Sequence, residues 1–188
     1  MPELPEVEVV KQSLEKYITN KNLLRIIVKN KKLRFPVPSD ISKILINIKI
    51  LNVKRKSKYV IIEFEDKLFL IIHLGMSGTL HLVKNKKHIN TNLSFYHMKD
   101  LPKKHNHIIF KFKNFCIFFN DPRRFGFIKL IKGKKNLNFY FHKLGPDPFE
   151  KNFNFQYVKQ YLQKKIKNIK NTLIDQKFVS GIGNIYVS

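Results

Sequence analysis

Pro2, Glu3 and Glu6 place a nucleophile and two proton carriers at the very start of the chain, in Met1-Pro2-Glu3-Leu4-Pro5-Glu6-Val7-Glu8. Removal of Met1 would leave Pro2 with a free secondary amine. Such an amine attacks an electrophilic carbon and forms a charged iminium, dividing one hard displacement into two easier steps. Glu3 and Glu6 stand close enough along the chain to move the protons involved. The same residues also suit a plain helix start, because proline is accommodated in the first turn and acidic side chains there favour the helix dipole. On these residues alone both readings stand.

Other candidates are scattered along the chain. Lys58 follows Lys54-Arg55-Lys56-Ser57 at the head of an apolar run, and by composition it is one solvated lysine among many. Met76, in His73-Leu74-Gly75-Met76-Ser77-Gly78, and Phe125, in Asp121-Pro122-Arg123-Arg124-Phe125-Gly126, fall on predicted loop tips. Each either packs into the core or projects as an apolar wedge. His105 and His107 stand two apart on a predicted strand and could ligate a metal, but no carboxylate or thiol cluster accompanies them. The one cysteine, Cys116, reads as a buried strand residue. A disulfide within the chain is therefore impossible, and the paired cysteines of a zinc site are absent.

The elements that must position these residues follow from periodicity. Val7, Val10, Leu14, Tyr17 and Ile18 recur at helical spacing, which predicts an amphipathic helix to about residue 18. From about residue 23 to 130 the pattern changes to short apolar runs broken by Pro, Asn, Lys and Gly. Eight strands are predicted, at 23–29, 48–54, 59–64, 68–73, 79–83, 107–113, 115–120 and 126–131. Residues 40–46 predict a brief helix, and 84–104 a mobile excursion with little periodicity. Gly145-Pro146-Asp147-Pro148 stops any helix, after which Tyr157, Val158, Tyr161 and Leu162 resume helical spacing. A further helix is predicted at about 170–177, then a glycine turn and the opening of another helix at Asn184. The expected fold is α+β: an N-terminal helix and an eight-stranded antiparallel β-sandwich in residues 1–134, then the start of a helical domain in 135–188.

Composition bounds the partners. The chain has 188 residues, of which 43% are hydrophobic, enough for a substantial core. No run approaches the roughly 18 apolar residues of a membrane helix, and the acidic start is unlike a secretory signal, so no membrane partner and a cytoplasmic location are expected. Thirty-seven Lys and Arg against 13 Asp and Glu give a formal charge of +24, which points to nucleic acid. Heavy use of Lys, Asn, Ile and Phe also fits A/T-rich codons, so placement carries more weight than the total. Only five arginines occur, two of them adjacent at Arg123 and Arg124, and six of the seven glycines lie inside the motifs. Glycine and arginine at such points meet backbone or phosphate geometry that lysine and asparagine cannot.

Five motifs in order, the N-terminal one, His73 to Gly78, Asp121 to Gly126, His142-Lys143-Leu144-Gly145-Pro146-Asp147-Pro148 and Gly181-Ile182-Gly183-Asn184-Ile185-Tyr186, resemble the bacterial formamidopyrimidine-DNA glycosylase family. The resemblance implies a DNA glycosylase and abasic-site lyase of base excision repair, removing oxidised purines such as 8-oxoguanine and formamidopyrimidines through a Schiff base on Pro2. It implies catalytic roles for Glu3, Glu6 and Lys58, and DNA contacts from His105, Arg123, Lys165, Lys170 and Asn184. Met76 and Phe125 become wedges that fill the space left by a flipped nucleotide. The helical part corresponds to a helix-two-turn-helix element, whose turn aims backbone amides at phosphates.

The resemblance also implies what is missing. The family continues through further helices into a zinc finger, and this chain stops at Ser188 without ligands for that zinc, so no cofactor is expected. The finger's arginine, tied to the second elimination, has no counterpart. An exposed apolar patch, or a partner covering it, is expected beside the short last helix. The expected partner is double-stranded DNA carrying oxidised purines or abasic sites, bound by a monomer. The alternative is a catalytically impaired DNA-binding remnant; a basic RNA-binding protein would fit the charge but none of the motifs.

Overall fold

The computed structural model describes residues 2–94, 100–163, 166 and 168–188. Helix α1 spans Leu4–Ile18. Glu3 is its N-cap, and the Glu3 amide donates to Glu6 Oε2 at 2.8 Å, satisfying one of the helix's free N–H groups. Its apolar stripe, Val7, Val10, Leu14 and Ile18, is buried in the main core.

Among the described residues ten strands follow: β1 (Asn22–Leu23), β2 (Arg25–Val28), β3 (Ile48–Lys56), β4 (Tyr59–Phe64), β5 (Leu68–His73), β6 (Thr79–Lys84), β7 (Lys87–Ile89), β8 (Asn106–Lys111), β9 (Cys116–Asn120) and β10 (Phe127–Lys132). They form two antiparallel five-stranded sheets, ordered β1-β3-β4-β5-β10 and β2-β8-β9-β6-β7. Between them lies the main core, with Val60, Ile62, Phe64, Leu70 and Ile72 from the first sheet and Leu80, Ile108, Phe110, Ile117 and Phe119 from the second. Successive strand residues face opposite ways. Ile61, Phe69, Ile71 and Ile131 accordingly form a second cluster on the outer face of the first sheet, covered by Phe141.

Two differences from the expected eight strands have local causes. The run 23–29 splits at Leu24, because β1 pairs with β3 in one sheet and β2 with β8 in the other. Within the excursion at 84–104, Lys87–Ile89 pairs with β6, and Leu93 is fully buried. Cys116 opens β9 and is half-buried, not buried. Short helix α2 spans Ile41–Ile44.

Helix α3 (Lys134–Phe141), which helical spacing did not indicate, supplies Phe141 and Tyr140 to the second cluster. Helices α4 (Phe155–Leu162), α5 (Ile169–Ile174) and α6 (Asn184–Val187) complete the chain. Asn154 and Asn168 cap α4 and α5 with their side-chain oxygens. Among the described residues no helix is long and apolar enough to cross a membrane.

Arg55, near the end of β3, fastens these parts together. Its guanidinium donates to Glu8 of α1 at 2.7 Å, to Asp147 at 2.5 Å and to the Ser57 carbonyl at 2.9 Å. Burial opposes its charge, but the bonds to Asp147 and Glu8 outweigh burial and hold its pKa above the usual value. Lys56 adds an ion pair to Glu150 at 2.6 Å. Removing one partner of a buried pair strands the other, and the Asp147 side chain is only 6% exposed. Arg55→Met is therefore expected to cost about 3–5 kcal/mol in urea unfolding. Burial pushes the Glu8 carboxyl up, yet its bond to Arg55 leads the net shift below the ordinary 4.5. The stability Glu8 contributes is thus present above that value and lost as pH falls through the lowered one, so the gap between wild type and variant should narrow below pH 4.5.

Candidate active site

Strands β3 and β4 meet in a two-residue turn, Ser57-Lys58, closed by the pair Lys56 and Tyr59. Ser57 takes a left-handed backbone conformation (φ 54°) and Arg55 holds its carbonyl. The turn thereby brings Lys58, almost fully buried, to the start of α1. Burial lowers its pKa below the ordinary lysine value, against the attraction of Glu3 and Glu6. An amine so placed gives up its proton more readily than a surface lysine.

The glycine turn before α6 reaches the same point from the other end of the chain. The Gly183 amide donates to Glu3 Oε2 at 2.5 Å and the Ile185 amide to Glu3 Oε1 at 2.9 Å. Tyr186 donates its hydroxyl to Glu6 Oε1 at 2.7 Å, and Leu4 N–H donates to Gly181 O at 3.0 Å. Burial raises the Glu6 carboxyl, but the bonds from Tyr186 and the Glu3 amide prevail and leave its pKa lowered. Gly183 is required by space: a Cβ there would lie 2.5 Å from Glu3 Oε1 and 2.7 Å from Lys58 Nζ. Glu3, Lys58, Glu6 and Gly183 therefore form one packed cluster beside the buried Pro2.

Next to it, Met76, Arg123 and Phe125 line a single cleft with Arg34 and His73. Met76 is 37% exposed and Phe125 41%, so neither is a core residue. Asp121 ties together the two loops that carry them, accepting from Ser77 Oγ at 2.5 Å and from Gly126 N at 2.7 Å. The Ser77 hydroxyl in turn accepts from the Arg123 amide at 3.2 Å, and the Arg123 guanidinium lies 4.8 Å over the Phe125 ring. Gly75, with φ +66°, lets the Met76 turn pass against the Phe125–Gly126 backbone, where a Cβ would clash. His73 stacks on Phe127 at 5.2 Å and its Nδ1 accepts from the Gly75 amide at 3.0 Å. Burial, with Arg34 and Lys58 nearby, lowers its pKa to about 4, so the ring is neutral at physiological pH and keeps that lone pair available.

The proposed DNA contacts are exposed. His105 lies under the arginine loop, its carbonyl accepting from Asp121 N at 3.1 Å, while Asn184 opens α6 and Lys170 lies on α5. Lys165 lies outside the described residues. His107 Nε2 donates to the Asp121 carbonyl at 2.8 Å, which commits it away from a metal. Among the described residues no three His, Cys, Asp or Glu side chains come together to hold a metal ion.

Four contributors escaped the sequence reading. Arg34 and Arg55 belong to the five arginines, a rarity that marks them. Tyr186 was visible only as part of a motif. Gln176 had no signal: its amide nitrogen donates to Ile182 O at 2.7 Å, and its carbonyl oxygen accepts from Gly181 N at 2.9 Å, bracing the glycine turn.

Comparison with known proteins agrees with this arrangement. Residues 1–128 match the formamidopyrimidine-DNA glycosylase N-terminal domain and residues 144–188 its H2TH domain. The formamidopyrimidine-DNA glycosylase of Wolbachia sp. subsp. Brugia malayi is 38% identical over the whole chain, and that of Agrobacterium fabrum 36%. The chain spans about 65% of the length of these curated relatives. Lactococcus lactis Fpg in complex with abasic-site DNA superposes with a TM-score of 0.84 at 32% identity, covering 98% of this chain and 64% of that one. The same enzyme with DNA containing an oxidised pyrimidine gives the same score over 99% and 65%. Two domain matches in order, over a fold that buries Glu3 against the glycine turn, establish that the chain belongs to the formamidopyrimidine-DNA glycosylase family.

Proposed function

We propose that this chain is a base excision repair DNA glycosylase with abasic-site lyase activity, acting on oxidised purines in duplex DNA through a Schiff base on Pro2. The observation that carries the reading is the Glu3 carboxylate, pinned by the Gly183 and Ile185 amides, with Lys58 packed on the same glycine and Pro2 next in sequence.

The damaged nucleotide leaves the stack at a cost of a few kcal/mol. Met76 and Phe125 wedge into the gap, and Arg123, braced on the Phe125 ring, faces the orphaned base. With Met1 removed, the Pro2 nitrogen bonds to C1′ as the C1′–N9 bond breaks and the base departs with the electron pair. The nitrogen, now an ammonium, gives its proton to the Glu3 carboxylate, which passes it to O4′ as the C1′–O4′ bond opens, and the nitrogen lone pair so freed forms the iminium. The iminium acidifies C2′, so loss of a C2′ proton expels the 3′ phosphate. Lys58, its pKa lowered by burial, assists this proton transfer. Exposed His105, Lys170 and Asn184 contact the phosphates, and this backbone term supplies much of the affinity.

Borohydride reduction tests this directly, using one duplex with 8-oxoguanine and another with an abasic site. A covalent adduct is expected on both, with base release slowed by ~100-fold or more in Pro2→Gly, the scale of losing a positioned catalytic group. Adduct on the abasic duplex alone would leave a lyase without base excision. No adduct on either, with the protein folded and DNA bound, would make the chain a DNA-binding protein without the chemistry.

A further inference from the structure

Between Asp121 and Asp147 the chain carries seven Lys and Arg and no carboxylate. Much of that stretch forms β10 and α3, and β10 is an edge strand of its sheet. A shallow groove runs between the two elements. It is lined by Lys129, Lys132, Phe139, Tyr140, His142 and Lys143, and no acidic side chain lies among its lining residues.

The aromatic groups in this groove are ordered. Phe139 is 72% exposed, yet its ring stacks nearly parallel on His142, with centroids 4.7 Å apart and planes at 12°. His142 is itself held by a bond from Nδ1 to the Phe139 carbonyl at 2.5 Å. Lys129 Nζ sits 4.7 Å from the Tyr140 ring centre. Tyr140 packs edge-on against Tyr59 at 6.3 Å, and Tyr59 against His73 at 4.8 Å, so a line of rings joins the groove to the cleft that holds Met76 and Phe125. A large exposed ring fixed flat among cations presents a π face and phosphate-binding charge together, the combination that holds an unpaired nucleotide. An acidic peptide would satisfy the lysines and leave the flat ring unused.

We infer that this groove is a second nucleic-acid subsite, which stacks an unpaired base of single-stranded DNA on Phe139 while Lys129 and Lys143 hold the flanking phosphates. It rests on the DNA-binding side of the proposed function and not on chemistry at Pro2. A strand displaced or left unpaired next to the lesion would be held there.

The chain has no tryptophan, so Phe139→Trp places a single reporter in the groove. Saturable quenching of that tryptophan is expected with an oligo-dT of ~12 nucleotides, and none with inorganic polyphosphate, which brings charge without bases. Phe139→Ala should bind labelled oligo-dT about tenfold more weakly, the scale of one base–aromatic stack. Its melting temperature and its borohydride adduct on an abasic duplex should stay as in wild type. Absence of quenching by oligo-dT, or quenching by polyphosphate alone, would overturn the inference. So would unchanged oligo-dT binding in Phe139→Ala, including the case where Phe125→Ala weakens it instead. In all of those cases an intact abasic-site adduct would show the proposed function standing without this subsite.

Discussion

The contact between the Glu3 carboxylate and the amides of Gly183 and Ile185 is the constraint on which the rest of the site depends. It joins residues 180 positions apart, with both carboxylate oxygens accepting backbone N–H groups. Glu3 is at once the N-cap residue of α1 and the anion at the first turn of α6. A buried carboxylate is tolerated only when its oxygens are satisfied, and here the satisfying donors come from a turn that must be glycine for reasons of space. The position of Pro2 is thus set by the far end of the chain as much as by its own helix.

Around this contact the structure divides its work. Arg55 locks α1, the Lys58 turn and the segment at Asp147 to one guanidinium, so the amine of Lys58 and the start of α1 keep a fixed relation. Asp121 and Ser77 do the same for the Met76 and Phe125 loops, which leaves two apolar tips and one arginine exposed on a stiff base. The Glu3–Lys58 cluster and the exposed apolar tips are therefore separate units. They meet at Tyr59 and His73, where the strand that follows Lys58 lies beside the strand that leads into Met76.

Much of this was legible in the sequence, and the failures have physical reasons. Helix α1 and most strands announce themselves by period, because one face of each is buried against a single core. The crossing at Leu24 is invisible to periodicity, since an apolar run looks the same whether it stays in one sheet or passes to another. Strand β7 is three residues of mixed polarity held by pairing alone. Helix α3 has aromatic residues and asparagines of middling helix propensity, and packing of Phe141 on the sheet holds it in place. In the site, Pro2 and Glu3 stood out for the chemistry that a terminal secondary amine beside a carboxylate can do, and the glycine turn as a residue type that resists the composition of the chain. The roles of Gln176 and Asp147 could not be read, because each depends on a bond to a distant partner.

The most direct measurement is to locate the covalent bond. The adduct formed on an abasic duplex would be reduced with borohydride, digested with a protease and nuclease, and its modified peptide sequenced by mass spectrometry. The sugar remnant is expected on the nitrogen of Pro2, in the peptide that begins Pro2-Glu3-Leu4. A remnant on Lys58, or spread over several lysines, would contradict it.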